Sequence, residues 1–342
     1  MIRLLMKFCC IFFLCFVGYG LSIVLIQPLK HRMMLNLRVV TEYKYVHDLF
    51  KSRNHSTRHK WISRDSNYEP ITYKMRKNIM WNGQSVCKNE SFILLMYFVN
   101  KNDIERRNVI REYVKQDMVV DGKMINYVFV VASPLNDTDV MQRLKDENAI
   151  HGDILISLHD DNYRLLPITI LDAFYWVREY CKTVSFVSKV DGDVWIHLGN
   201  LIHYYKSIVD QRIYSGCRWS LSFDKGIDYK GIHIIPFDYP QPIVFAVGGA
   251  YTVSRDVVPF INIGANYLDT ILPISEDTVI SEILRRAGIG IYPIRKNITL
   301  YKNYNYDFIP PNVVFLHAIK NMQAFKAIYA NYSGIFLKPY FN

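Results

Sequence analysis

The sequence has little cysteine, little charge and no internal repeat. Six cysteines occur in 342 residues, with no CxxC pair and no zinc-type spacing. That excludes the zinc ribbons and fingers and the CxxC oxidoreductases. Cys9, Cys10 and Cys15 lie in an apolar run, so Cys87, Cys181 and Cys217 remain outside it, an odd number that leaves at least one thiol without an intrachain partner. Charged residues make up only 21% of the chain and hydrophobic residues 50%, so most of it should fold around a core.

A basic folded domain is also missing. The net charge is +10, but residues 91–342 carry 26 Lys/Arg and 26 Asp/Glu, while residues 27–90 carry 13 against 5. The excess sits in the amino-terminal quarter, and the charge total gives a nucleic-acid groove no support.

What is present begins with Phe8–Ile26, "FCCIFFLCFVGYGLSIVLI", 19 residues without a charge. That length spans a bilayer core. Arg3 and Lys7 precede it, as at a cytoplasmic end, and the run is long for a cleaved signal peptide. The expected order is a tail over 1–7, a signal-anchor helix over 8–26, a lumenal stem over 27–87 and a folded domain over 88–342. Five N-x-S/T sequons, at Asn54, Asn89, Asn136, Asn297 and Asn331, fit a lumenal chain.

From Ser91 the pattern becomes regular. "SFILLMYFV", "INYVFVVA", "DILISL" and "VSFVSKV" predict four buried strands. Between them, "DIERRNVIREYVKQ", "DTDVMQRLKDENAIHG" and "ITILDAFYWVREYC" predict helices, the second ended by Gly152. Such alternation predicts an α/β fold with a mostly parallel sheet flanked by helices. Further on, "PIVFAVGGAYTVS" predicts two short strands around a glycine break, and "SEDTVISEILRRAGIG" a helix capped by Ser275 and closed at Gly288.

The fourth strand runs into "KVDGDVWIH", which sets Asp191 and Asp193 about one glycine, Gly192. Asp-Gly is turn chemistry. Two acids at the carboxyl edge of a parallel sheet also suit a divalent metal. The residues alone leave both readings open.

The motif order decides between them. "ERRNVIR", "GDILISLHDDNYRLLPIT", "FVSKVDGDVWIHLGNL", "VGGAYTVSRD", "SEDTVISEIL" and "VVFLHAI" together resemble the β-1,3-galactosyltransferase and β-1,3-N-acetylglucosaminyltransferase family of the secretory pathway, over about residues 88–325. The resemblance implies a GT-A-type Rossmann-like catalytic domain in a single-pass type II protein of the Golgi membrane, which transfers a hexose, galactose first and N-acetylglucosamine as the alternative, from a UDP-sugar to a glycan acceptor in a β-1,3 linkage with inversion and manganese.

It also implies roles. Asp193 would bind Mn²⁺, with Asp191 acting on the metal or the sugar nucleotide and His317 as a further metal ligand. Asp277 would be the catalytic base, although an acid at a helix start is also ordinary dipole chemistry. Arg107 and Arg111 would contact phosphate or uracil, as a planar, always charged fork suits. Tyr163, Gly248 and Gly249 would lie at the donor. The strand order 3-2-1-4 implied for such a sheet makes strands one and four neighbours. A Cys87–Cys181 disulfide is then expected at the amino-terminal edge, with Cys217 free or linking two chains.

Four positions depart from the family pattern. Tyr113 and Val114 replace the usual Thr-Trp, Thr169 stands where lysine is usual, and Ala246 where cysteine often precedes the glycines. They leave the donor sugar open and admit a different class of function, an inactive relative that binds glycans or acts as a chaperone.

Overall fold

The computed structural model describes residues 90–221, 243–267, 275–294 and 309–332, with shorter segments at 45–46, 48–51, 61–63, 79–80, 86–87, 227–229, 232–236 and 299–300. The Phe8–Ile26 run and sequons Asn54, Asn89 and Asn297 lie outside these residues. No described helix is long and apolar enough to cross a membrane. Sequon residues Asn136 and Asn331 are exposed.

A nine-stranded sheet organises the domain. Its strands are β1 (Ile79–Met80), β2 (Ile93–Phe98), β3 (Met118–Val120), β4 (Lys123–Ala132), β5 (Ile154–Ser157), β6 (Phe186–Asp191), β7 (Tyr214–Leu221), β8 (Ile243–Ser254) and β9 (Tyr292–Pro293). They lie in the order β9-β7-β8-β6-β2-β4-β5-β1, with β3 beside β4. The four strands expected from the sequence are β2, β4, β5 and β6. They are parallel and stand in the order 3-2-1-4. Every residue of β2 is buried, as befits a strand covered on both faces. The sheet is more mixed than expected, because β1, β3, β7 and β8 join through antiparallel pairs. It also reaches back to Ile79, inside the segment read as stem.

The helices are α1 (Ile104–Tyr113), α2 (Thr138–His151), α3 (Leu166–Tyr180), α4 (Leu198–Lys206), α5 (Val258–Ala265), α6 (Glu276–Arg286) and α7 (Met322–Tyr332). Ile93, Leu95 and Tyr97 of β2 share a core with Ile110 of α1, Leu144 of α2, Leu201 of α4 and Phe325 of α7. This is the period-two face of a strand meeting the apolar stripes of helices. Helices α3, α5 and α6 pack on one another and against β4, β5 and β8. Gly152 closes α2 in the left-handed region at φ 66° and Gly288 follows α6 at φ 73°, where a Cβ would be strained.

One expectation changes at β8. The two strands predicted around Gly248–Gly249 are a single strand, Ile243–Ser254. The glycines interrupt its register with β7 between Ala246 and Tyr251. They form a bulge within one strand, which glycine permits and hydrophobic periodicity cannot distinguish from a break.

At the amino-terminal edge, the Ser185 and Phe186 N–H groups donate to the carbonyls of Ser91 and Phe92, so the starts of β2 and β6 are adjacent. Cys87 and Cys181 form a disulfide there, with their Cα atoms 5.1 Å apart. Cys217, on β7, is buried and outside any disulfide among the described residues, which speaks against its bridging two chains without movement of the strand.

Candidate active site

The carboxyl edge of the parallel strands holds the charged residues. In the β2–β6 register, Phe98 pairs with Asp191. Strands β4 and β5 lie to one side of β2 and β6 to the other, which makes the β2/β6 boundary the topological switch point, where open α/β sheets bind ligands. Gly192 N–H donates to Phe98 O (2.8 Å), and Val194 N–H donates to Asp191 O (3.1 Å). The Asp-Gly turn and the pair of acids are therefore one feature, since the turn aims both carboxylates off the sheet edge.

His317 reaches them from a separate segment. Phe315–Leu316 pairs antiparallel with Trp195–Ile196, which brings the residue after Leu316 beside the Asp191–Asp193 turn. His317 Nε2 lies 3.4 Å from Asp193 Oδ1 and 3.7 Å from Asp191 Oδ2. One ligand atom from each of the three residues falls within a 4.8 Å group. Burial favours the neutral form of Asp193, but the hydrogen bond and charge of His317 outweigh it and hold its pKa below the usual value.

The two glycines of the bulge make room for this cluster. A Cβ at Gly249 would lie 2.7 Å from Cγ and Nδ1 of His317. A Cβ at Gly248 would collide with the Glu276 carboxylate and come within 3.2 Å of Asp277 Oδ2. A side chain at either position would displace His317 or the Glu276 and Asp277 carboxylates, which is why glycine stands at both.

Asp277 lies in the first turn of α6 and is buried. Its Oδ1 accepts from Ser275 Oγ and Thr278 N–H, and its Oδ2 accepts from Gly248 N–H (2.8 Å). Burial, then the neighbouring Glu276 charge, raises its pKa to about 7 against the hydrogen bonds and Lys189. Ser275 caps the helix by position but spends its hydroxyl on Asp277. An ordinary dipole-stabilised acid would be exposed and strongly acidic, whereas this one is buried and titrates near neutrality.

Lys189 was not anticipated. It is wholly buried in β6, with its ammonium 2.5 Å from Asp191 Oδ1 and 2.9 Å from Glu276 Oε1, and it also donates to Gly248 O. The residue ties Asp191 to the helix that carries Asp277. Strand alternation held the signal, because residues 189 and 191 share one face of β6. Burial, more than the opposing Lys189 charge, raises the Asp191 pKa to about 6.

Arg107 and Arg111, expected to contact phosphate or uracil, pair with buried acids in this structure. Arg107 is 1% exposed and forks onto both oxygens of Glu147, at 2.8 and 2.6 Å. Arg111 grips both oxygens of Asp153, at 2.8 and 2.7 Å, and reaches Glu147 at 2.7 Å. Neither faces the cleft at the switch point, a space of about 370 Å³ lined by Asn100, Asp103, Arg106, Asp161, Thr169, Asp191, Asp193 and Lys320 among others. The arginine of that cleft is Arg106. Tyr163, in a short 3₁₀ turn before α3, is 42% exposed and stands near the cleft residues Asp161 and Leu166 without lining the cleft itself. Thr169 does line it, and its hydroxyl contacts His159 Nε2 at 3.1 Å.

Two carboxylates and an imidazole offer oxygen and nitrogen donors suited to a divalent first-row metal that must also hold phosphate oxygens. The glycine cradle behind His317 supports that fit. The acidic residues there (Asp191, Asp193, Glu276 and Asp277) outnumber the obligate cations Lys189 and Arg106, and Arg106 also pairs with Asp103, so the cluster carries excess negative charge that a metal would neutralise.

Residues 105–295 match the family model described as Galactosyltransferase. The chain is 26% identical over 248 residues to human "UDP-GalNAc:beta-1,3-N-acetylgalactosaminyltransferase 1", covering 71% of this chain and 72% of that protein. It is 25% identical over 210 residues to the "Lactosylceramide 1,3-N-acetyl-beta-D-glucosaminyltransferase" of Xenopus tropicalis, covering 57% and 55%. Among solved structures, a glycosyltransferase involved in the glycosylation of the major capsid of PBCV-1 is similar over 70% of this chain and 98% of that one, at 12% identity and a TM-score of 0.41, too distant to carry an argument.

Proposed function

The chain belongs to the galactosyltransferase family, and from that premise we propose that it is an inverting β-1,3-glycosyltransferase moving a hexose or N-acetylhexosamine from a UDP-sugar to a hydroxyl of a glycan. The observation that carries the reading is the meeting, at one sheet edge, of the Asp191–Asp193–His317 group with a buried carboxylate, Asp277, whose pKa of about 7 suits a general base. The names of the relatives move N-acetylgalactosamine and N-acetylglucosamine ahead of galactose as donors to try first.

Asp191, Asp193 and His317 would hold manganese, which when bound supplies Lewis-acid neutralisation of the charge on the departing diphosphate. Asp277 then takes the proton of the acceptor hydroxyl as that oxygen attacks the anomeric carbon and the bond to the diphosphate oxygen breaks. The oxygen for the task is Oδ2, which accepts one hydrogen bond where Oδ1 accepts two. Attack from the face opposite the leaving group inverts the centre. Gly248 orients the base through its N–H, and Lys189 holds Asp191 and Glu276 in register with it. Tyr163 sits at the mouth of the donor cleft in this scheme. The family resemblance and the Phe8–Ile26 run support a Golgi type II protein with a lumenal domain that includes the Ile79–Met80 strand.

A donor screen tests the proposal. The detergent-solubilised full chain is incubated with manganese, each common UDP-sugar and a panel of galactose-, N-acetylglucosamine- and lactose-terminated acceptors. Transfer from at least one donor, with the new bond at position 3 by NMR, is expected. No transfer from any donor, with glycan binding retained, would establish the inactive binding protein instead.

A further inference from the structure

The segment after His317 brings a cation to the cleft. Ala318 adopts φ 69°, a left-handed conformation uncommon for residues with a Cβ. Three contacts hold the turn. Ile319 N–H donates to Asp193 O (3.0 Å), and Arg106 Nη1 and Nη2 donate to the carbonyls of Ile319 (3.1 Å) and Lys320 (3.3 Å). One turn thus fixes His317 against the two acids and sets Lys320, three residues on, in the wall of the cleft. An unconstrained surface lysine needs no such arrangement.

Charge pairing singles out Lys320. The cleft wall contains two basic side chains, Arg106 and Lys320. The Arg106 guanidinium is occupied by Asp103 (2.9 Å) and by the carbonyls of Gly192, Ile319 and Lys320. Among the wall's acids, Asp161 accepts from Asn100 Nδ2 and Asp191 from Lys189. Lys320 is exposed, and its ammonium makes no hydrogen bond or ion pair among the described residues. Arg107 and Arg111 face their own acids, so the cleft has this one uncommitted cation among the described residues.

We propose that Lys320 binds the diphosphate of the nucleotide donor and of the UDP product. The proposal rests on the UDP-sugar reading above. An ammonium on a flexible stem is a point charge with rotatable donors, able to follow phosphate oxygens as the leaving group separates.

Calorimetry on the full-length protein in manganese tests it, with UDP and uridine as probes against wild type, Lys320→Ala and Lys320→Arg. Lys320→Ala should weaken UDP binding at least tenfold, leave uridine binding unchanged, and make the UDP affinity less sensitive to salt; Lys320→Arg should recover most of the affinity. Equal UDP binding by wild type and Lys320→Ala overturns the proposal and leaves the UDP-sugar reading standing. A Lys320→Ala protein that melts earlier and loses UDP and uridine alike overturns it in favour of a structural role. A wild type that binds no UDP overturns the donor reading, and this proposal with it.

Discussion

Two clusters of charge flank the same parallel sheet, and they are built differently. Behind α1, Arg107 and Arg111 face Glu147 and Asp153, two cations against two anions, each guanidinium in fork contact with a carboxylate. At the carboxyl edge, Lys189 and Arg106 are outnumbered by Asp191, Asp193, Glu276 and Asp277, with His317 able to contribute charge only when protonated. The first cluster is self-neutral and closed. The second is over-supplied with acid and opens on a cleft. A matched cluster holds structure, whereas an unmatched one keeps groups at raised pKa and has a use for an incoming cation.

The sharpest way to break this contrast is to remove a charged group from each side. Asp193→Ala should abolish transfer and manganese-dependent UDP binding while the melting temperature holds, as judged by activity, calorimetry and thermal unfolding. Full activity of the wild type in excess EDTA would refute the metal role. Next in size is Asp277→Asn, for which we expect a loss in kcat of about a hundredfold or more with donor binding nearly unchanged. The substitution is not isosteric in hydrogen bonding, because its amide faces Gly248 N–H. Some loss of stability is therefore expected as well, and the separation of kcat from donor affinity is what identifies the base.

On the matched side, Arg107→Met should cost about 3 kcal/mol of stability by leaving buried acid under-paired, with kcat per folded molecule and UDP affinity unchanged. A selective fall in UDP affinity would restore the role first expected for Arg107.

The smallest effect expected is a pH shift. The base must be ionised, so kcat/KM should rise as pH increases through about 7, where Asp277 loses its proton. Lys189 lowers that pKa, so Lys189→Met should move the limb to higher pH. In stability the sign reverses. A carboxyl whose folded pKa is raised above its unfolded value binds more protons when folded, so Asp277 stabilises the fold less as pH climbs from the ordinary carboxylate range to about 7. A limb that does not move in Lys189→Met would separate Lys189 from the base.

Much of the frame was legible before the structure. Continuous apolar runs alternating with capped helices mark β2, β4, β5 and β6, and handed crossovers limit their order. The acids at the end of β6 were visible because a strand end is a place where polar residues have to be explained. Partners distant in sequence were harder. Arg107 and Arg111 share a helix face whichever carboxylates they meet. Nothing local says that Glu147 and Asp153, some 40 residues away, will consume them. Lys189 looked like an interruption in an apolar strand, yet its face is shared with Asp191. Lys320 sits in an unremarkable stretch, "HAIK", and only the left-handed Ala318 and the grip of Arg106 show why it points where it does.

The Cys87–Cys181 bond has a consequence for biosynthesis. A ribosome delivers cysteines in chain order, and in the lumenal topology proposed above Cys181 would enter the lumen 36 residues before Cys217 (217 − 181). At the usual synthesis rate of about 5–20 residues per second, that is a head start of roughly 2 to 7 seconds in which Cys87 has one lumenal thiol to choose. By the time the rival arrives, the remaining task for β7 is to bury it. Vectorial synthesis thus works as proofreading for the disulfide. Cys217→Ser should leave the yield of correctly bonded chain in a pulse-chase unchanged, while refolding of the reduced wild type, where the three thiols outside the Phe8–Ile26 run compete from the start, should scramble.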